Sequence, residues 1–241
     1  RSTPLYSSAA SDVYKRQNWY CVAENATAAT MFDNGQLDVF DAAGDYIAKY
    51  DKEVEAGNMQ TMTTEYPGTM VLCYEQSEGG KSGLMKNVNI RKAISYSINR
   101  EEMVSAVYGR YTAAYGFVSP AITLDGTSYR KQASETMKEE YEQYAGDADK
   151  LKALFQKGLD ELGITDKPED ITITLLSQGS ATENQLEREY LQQSISQNLG
   201  VKVELNTVGD YQMFANERDN KNYDIFAVSY THLTLPTNRE V

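Results

Sequence analysis

The chain carries one histidine, His232, close to its C-terminal end, in a stretch that does not read as part of the folded sequence. No histidine-based general base, Ser-His-Asp relay or zinc cluster can therefore be assembled from it. Acidic pairs such as Glu101 with Glu102 and Glu139 with Glu140 are neighbours in sequence. On a helix such neighbours point about 100° apart, so these read as solvated faces or cap contributions and not as a general acid with its base. The Gly79-Gly80 pair lacks the flanking spacing of a phosphate-binding loop. Cys21 and Cys73 have no metal-type spacing and lie in apolar runs, WYCVA and MVLCYE, where a thiol behaves as a small hydrophobe.

What remains is chemistry for holding a ligand. Arg218 follows the apolar face of a short helical stretch, where its guanidinium can pair either with a ligand carboxylate or with Asp219 or Glu217 beside it. Tyr211 opens the same stretch next to Asp210. The turn QGSATEN, residues 178–184 with Asn184 at its end, joins a strand's C-terminal end to a helix N-terminus. Open α/β sheets place ligands at such junctions. Tyrosine is abundant, with 18 copies against one Trp, and combines a flat apolar ring with a hydroxyl, which suits mixed ligands as well as half-buried packing.

Charge narrows the partners. The formal net charge is -12 and the sequence pI about 4.6. Nucleic acid and anionic membrane surfaces need clustered cations and are disfavoured. No window reaches the roughly 18 consecutive apolar residues of a membrane span. With 41% hydrophobic and 24% charged residues over 241 positions, the chain can bury a real core.

The elements that would position these residues follow from periodicity. NWYCVA reads as a strand, followed by a helix capped by Asn25 and stopped at Gly35, then LDVF as a short strand. GDYIAKYDKEV is amphipathic, and TMVLCYE is a stronger strand leading into an acidic loop at 75–83. Ile90, Ala93, Ile94, Ser97 and Ile98 mark a helix face with Asn87 as its cap. Asn99 and Glu102 match a capping box that starts a second helix, closed by Gly109. Residues 121–146 form a polar excursion of weak helical character. Asp147 caps a helix carrying Leu151, Phe155 and Leu159, with Gly163 at its end. ITITLL, a helix over about 182–198 with Leu186, Tyr190, Ile195 and Leu199 on one side, VKVELNTV, the stretch DYQMFANERD and YDIFAV then alternate strand with helix. That alternation predicts an α/β domain with helices flanking a mixed, largely parallel sheet.

Residues 1–17 and 228–241 fit none of these periods. SDVYKRQ and SYTHLTLPTNREV resemble translated adapter sequence, so both ends are expected to be foreign and the domain to run over 18–227, where the net charge becomes -14.

The order of motifs is specific. AATMFDNGQLDVF resembles the segment of family 5 solute-binding proteins in which a helix ending in Gly precedes Leu-Asp. NVNIRKAISYSINREEMVSAVYGRYTAAYGFVSP resembles that family's most recognisable stretch. NLGVKVELNTVGDYQMFANERDNKNYDIFAVSY is similar to a later one. The resemblance implies a lobe of periplasmic-binding-protein type II, the second of a two-lobed monomeric receptor outside the cytoplasm. Such a receptor takes no cofactor and delivers its solute to the membrane subunits of an ATP-driven importer. The first lobe and the C-terminal return are expected to lie outside this chain. A short peptide is the leading solute, with nickel complexes, haem and sugars carried by relatives. By position, Tyr211 and Arg218 match the aromatic and basic residues of the cleft-side helix. Tyr108, Asn184 and Ala227 fall where peptide binders place basic or ring-bearing groups, and Cys73 joins the expected ligand contacts. An α/β enzyme whose catalytic residues lie elsewhere, or the sensing lobe of a regulator, are the competing classes.

Overall fold

A computed structural model of the chain describes residues 18–22, 24–42, 44–63, 65–133 and 136–230. The end stretch 1–17, and His232 with the rest of 231–241, lie outside the described residues. The chain divides into two compact units, one up to Tyr50 and one from Asp51 onward.

In the first unit, α1 (Asn25–Asp33) is followed by α2 (Asp45–Glu55), which runs on into the second. The two runs expected to be strands here, 18–23 and 37–40, are not strands among the described residues. A strand needs a hydrogen-bonding neighbour, and apolar composition alone does not supply one. Phe40 is used instead as an aromatic plug, 5.8 Å from the Phe32 ring and 5.5 Å from that of Tyr50. The Tyr50 hydroxyl donates to Ala29 O and Asp33 Oδ1, and Lys49 pairs with Asp33 at 2.6 Å. The N-cap of α1 is Glu24, one residue before the expected Asn25, and its side chain makes no capping bond.

The second unit is built on a four-stranded sheet. Its strands are β1 (Thr69–Tyr74), β4 (Thr172–Gln178), β5 (Lys202–Val208) and β6 (Ile225–Tyr230), in the order β1-β6-β4-β5. β4 pairs in parallel with β5, from Thr172 opposite Lys202 to Gln178 opposite Val208, and with β6 through Leu175 and Leu176. β1 runs antiparallel to β6, with Thr69 opposite Tyr230. This is the expected mixed, largely parallel sheet. The sequence from Val228, expected to be foreign, is strand as far as Tyr230.

Side-chain alternation along the strands separates two cores. Ile173, Leu175, Val203 and Ile225 face α3 (Val88–Tyr96), α7 (Ala148–Leu162) and α8 (Thr182–Leu199), whose Ile90, Ile94, Phe155, Leu159, Ile195 and Leu199 are buried against them. Leu176, Val208, Tyr223 and Phe226 point the other way and pack on Phe214 of α9 (Tyr211–Asp219). Leu186 of α8, expected on the apolar side, is exposed, and Leu191 takes its place in the core. The predicted caps of the long helices hold. Asn87 accepts from the N–H groups of Asn89 and Ile90, Asp147 from that of Lys150, and Gly163 stands left-handed after α7. The capping box at Asn99 is half formed. Its side chain accepts from Glu102 N, but the Glu102 carboxylate accepts from Tyr190 instead of reaching back. The segment from Arg100 is α4 (Arg100–Met103), continuing as a π-helical turn over Val104–Tyr108. The polar excursion holds a small hairpin, β2 (Thr123–Leu124) with β3 (Thr127–Ser128), and two short helices, α5 (Tyr129–Gln132) and α6 (Thr136–Glu142).

A buried carboxylate organises the loop after β1. Glu75 accepts from the backbone N–H groups of Ser77, Glu78, Gly79 and Gly80 and from the Ser77 hydroxyl. Burial pushes its carboxyl up, but the Ser77 hydroxyl and the amides of Gly80, Glu78 and Ser77 outweigh that and bring its pKa down to about 2, from 4.5. A depressed carboxyl stabilises the fold fully above its unfolded value and loses that contribution as pH falls through the folded one. Acid titration of wild type should therefore lower the unfolding free energy by on the order of 2–3 kcal/mol between pH of about 4.5 and about 2 through this group. Urea unfolding of Glu75→Gln beside wild type checks it: the stability gap between them narrows over that window, and a constant gap contradicts the assignment.

Candidate ligand site at the switch point of the sheet

After β4 the chain turns onto the face covered by α8; after β5 it turns onto the opposite face, covered by α9, and returns as β6 on the far side of β4. Open α/β sheets take ligands at the C-terminal ends of their strands, where the strand order reverses. Here the order turns at β4, with β5 on one side and β6 on the other, so the ligand end of the sheet is the C-terminal end of β4 at Gln178, beside Val208 of β5.

Three of the five expected contacts lie at this end. Asn184 is in the first turn of α8, and its side-chain amide donates to Gln178 O at 3.3 Å. Tyr108 closes the π-helical turn, which packs against α8. Its ring stacks on Tyr111 with centroids 4.8 Å apart, and its hydroxyl is enclosed without a hydrogen bond of normal geometry. Burial raises the pKa of that hydroxyl strongly, and the nearby charge of Glu187, with that of Glu183, raises it further. Burial also raises the Glu187 carboxyl. Tyr211 opens α9, whose N-cap Asp210 accepts from Met213 N at 2.8 Å. The Tyr211 ring is 64% exposed, leaning on Phe214 at 6.5 Å.

The other two stand back from the rim. Arg218 lies two turns further along α9, and its Nε and Nη2 donate to Asp219 Oδ1 at 3.0 and 2.8 Å. Its pKa is raised, by the hydrogen-bonded Asp219 carboxylate first, with the Tyr211 hydroxyl adding to it against a smaller opposing effect of burial. Cys73 pairs with Phe226 across β1 and β6 and packs half-buried against the Phe214, Tyr223 and Phe226 cluster. Its thiol is pushed up by burial. Both cysteines are free. Ala227 packs on the opposite, α8-side core.

Sequence reasoning missed Glu187 and Arg188, one turn along α8 from Asn184. Arg188 Nη1 donates to Gly179 O at 3.1 Å. The i, i+4 spacing of Asn184 and Arg188 from a turn flagged for its position was the available signal. Two surface concavities lie elsewhere: an open one of about 630 Å³ beside Tyr144, Leu154 and Lys157, and one of about 480 Å³ beside Tyr115, Phe117 and Met137. Neither borders the five residues. Among the described residues no group of three His, Cys, Asp or Glu side chains converges as a metal site, and no helix is long and apolar enough to cross a membrane.

Residues 5–238 match the model for bacterial extracellular solute-binding proteins, family 5, middle region. The chain belongs to that family. A dipeptide-binding protein of Lactococcus lactis subsp. cremoris is 27% identical over 227 residues, which cover 89% of this chain and 38% of that protein. This family member therefore spans well under half the length of the curated relative it matches. The substrate-binding domain of an oligopeptide ABC transporter from Bacillus anthracis superposes with a TM-score of 0.67 at 23% identity, over 87% of this chain and 38% of its own. Listeria monocytogenes OppA bound to peptide does so with a TM-score of 0.68 at 21% identity, again over 87% and 38%. At those identities the structures establish a shared α/β fold.

Proposed function

We propose that this chain is one lobe of a two-lobed extracytoplasmic receptor that captures short peptides by closing over them and hands them to the membrane subunits of an ABC importer, without catalysis. The observation that carries the reading is the switch-point rim, with Tyr108, Asn184 and Tyr211 at one end of the sheet, in a member of a solute-binding family whose curated relative is named for dipeptide binding. Tyr211 offers a flat face to a peptide, and the polar ends of Tyr108 and Asn184 meet its backbone. Arg218 exchanges Asp219 for a ligand carboxylate. Cys73 belongs to the apolar floor beneath. The full receptor is a monomer held outside the cytoplasm by a lipid anchor.

The test uses the two-lobed protein, recovered from the full gene and incubated with a pool of tri- to pentapeptides of random sequence. Native mass spectrometry should find one intact peptide per protein. Cleaved peptides would establish an enzyme instead, and an empty protein that takes up a sugar or a nickel complex would overturn the peptide reading. Tyr211→Ala in the same protein should weaken the best peptide by about tenfold, the worth of one aromatic face. Its exposure means that the fold itself barely notices the change. Isothermal calorimetry decides this, and an unchanged affinity removes Tyr211 from the site.

A further inference from the structure

The turn between β4 and α8 is tied at three points. Gly179 N donates to Val208 O at 3.0 Å, fastening it to β5. Asn184 Nδ2 donates to Gln178 O at a long 3.3 Å, and Arg188 Nη1 donates to Gly179 O at 3.1 Å. Gly179 has φ +78°, and a Cβ there would lie 2.9 Å from Asn184 Nδ2, so the turn presses its backbone against the residue expected to meet the ligand. Arg188 is half-buried, and its bond to Gly179 O is charge-assisted, which makes it the stronger of the two side-chain ties. Asn184 has a second N–H and its Oδ1 to offer a ligand, and turning the amide outward to present them breaks the long bond to Gln178 O. Without Arg188, an amide turned outward would leave the Gly179 N–Val208 O bond as the tie that remains of the three.

From this arrangement we infer that Arg188 is a positioning residue for the ligand site: by holding Gly179 O independently, it keeps the β4–α8 turn in place while the Asn184 amide turns to the ligand. The inference rests on the peptide-binding reading above, and it assigns Arg188 no contact with the peptide.

In the two-lobed protein, Arg188→Met keeps the aliphatic packing of the stem and removes the donors. The tightest member of the peptide pool should then bind about tenfold more weakly, as befits a lost charge-assisted hydrogen bond. Amide exchange over residues 178–182 of the ligand-free protein should quicken by about tenfold, with the thermal midpoint within about 2 °C of wild type. Arg188→Lys, which can still donate to the carbonyl, should recover part of both. In an Asn184→Ala background Arg188→Met should cost less, because no amide is left to release. Unchanged affinity or unchanged local exchange in Arg188→Met, no recovery by lysine, or strict additivity with Asn184→Ala would each overturn the inference. Should wild type bind no peptide from the pool, the peptide-binding reading falls instead, and amide exchange still judges whether Arg188 holds the turn.

Discussion

Asp224→Ala is expected to destabilise the fold by about 3–5 kcal/mol, the largest effect of any single substitution considered for this chain. The Asp224 side chain is fully buried at the start of β6. Its Oδ2 accepts from Thr174 N at 2.7 Å, and its Oδ1 accepts from the Ser82 N–H at 2.8 Å and the Ser82 hydroxyl at 2.7 Å. Its backbone adds two ties, accepting from Glu75 N and donating to Thr174 O. One residue thus joins β4, β6 and the loop after β1. Truncation leaves the Thr174 and Ser82 amides without their acceptor in a dry setting, and a buried donor without a partner costs about 1–3 kcal/mol. Asp224→Asn should cost less, since one oxygen still serves Ser82 while its NH2 is set against Thr174 N–H. Gly80→Ala should fail for a related reason: at φ +74° its Cβ would lie 2.3 Å from Asp224 Oδ1. Urea denaturation of the three variants beside wild type tests the ranking. A loss under about 1 kcal/mol for Asp224→Ala would mean that water replaces the carboxylate there.

Asp224 also marks where the sequence stops being legible. It lies 142 residues from Ser82 and 50 from Thr174, and no local pattern reports a bond of that span. What was legible is local. Asn87 and Asp147 sit one residue before an apolar period of 3.6, and their side chains cap the helices that follow. β4, α8, β5, α9 and β6 were readable because β4 and β6 are largely apolar runs, the edge strand β5 alternates Val203 and Leu205 with Lys202, Glu204 and Asn206, and helical stretches long enough to cross over separate them. The runs at 18–23 and 37–40 have the same strand-like composition but no partner strand, and composition does not distinguish the two cases. The site divided along the same line. The positions of Tyr211 and Asn184 at one end of the sheet were legible because each follows a strand end, whereas Arg188 bonds a carbonyl nine residues earlier, a contact that depends on how sharply the turn folds back. Arg218 pairs with Asp219, one of the two partners its position allowed.

Separating this chain from the other lobe of the proposed receptor should weaken peptide binding several-hundredfold or more. Two lobes that close on a ligand each supply part of its contacts, and the closed state is stabilised only by a ligand that touches both. If the other lobe provides even about 3.5 kcal/mol of the interaction, its loss costs more than two powers of ten in affinity. Tyr211 is mostly exposed, and the surface concavities beside Tyr144 and Phe117 lie away from Tyr108, Asn184 and Tyr211. A peptide laid on this rim alone would keep one side in water. It would still bear the ordering of its own backbone, a cost that does not shrink with the number of contacts made. Calorimetry of the isolated chain and of the two-lobed protein against one common peptide measures the ratio directly. Submicromolar binding by the isolated chain would show that its own residues enclose the ligand, and the closing clamp would have to be abandoned.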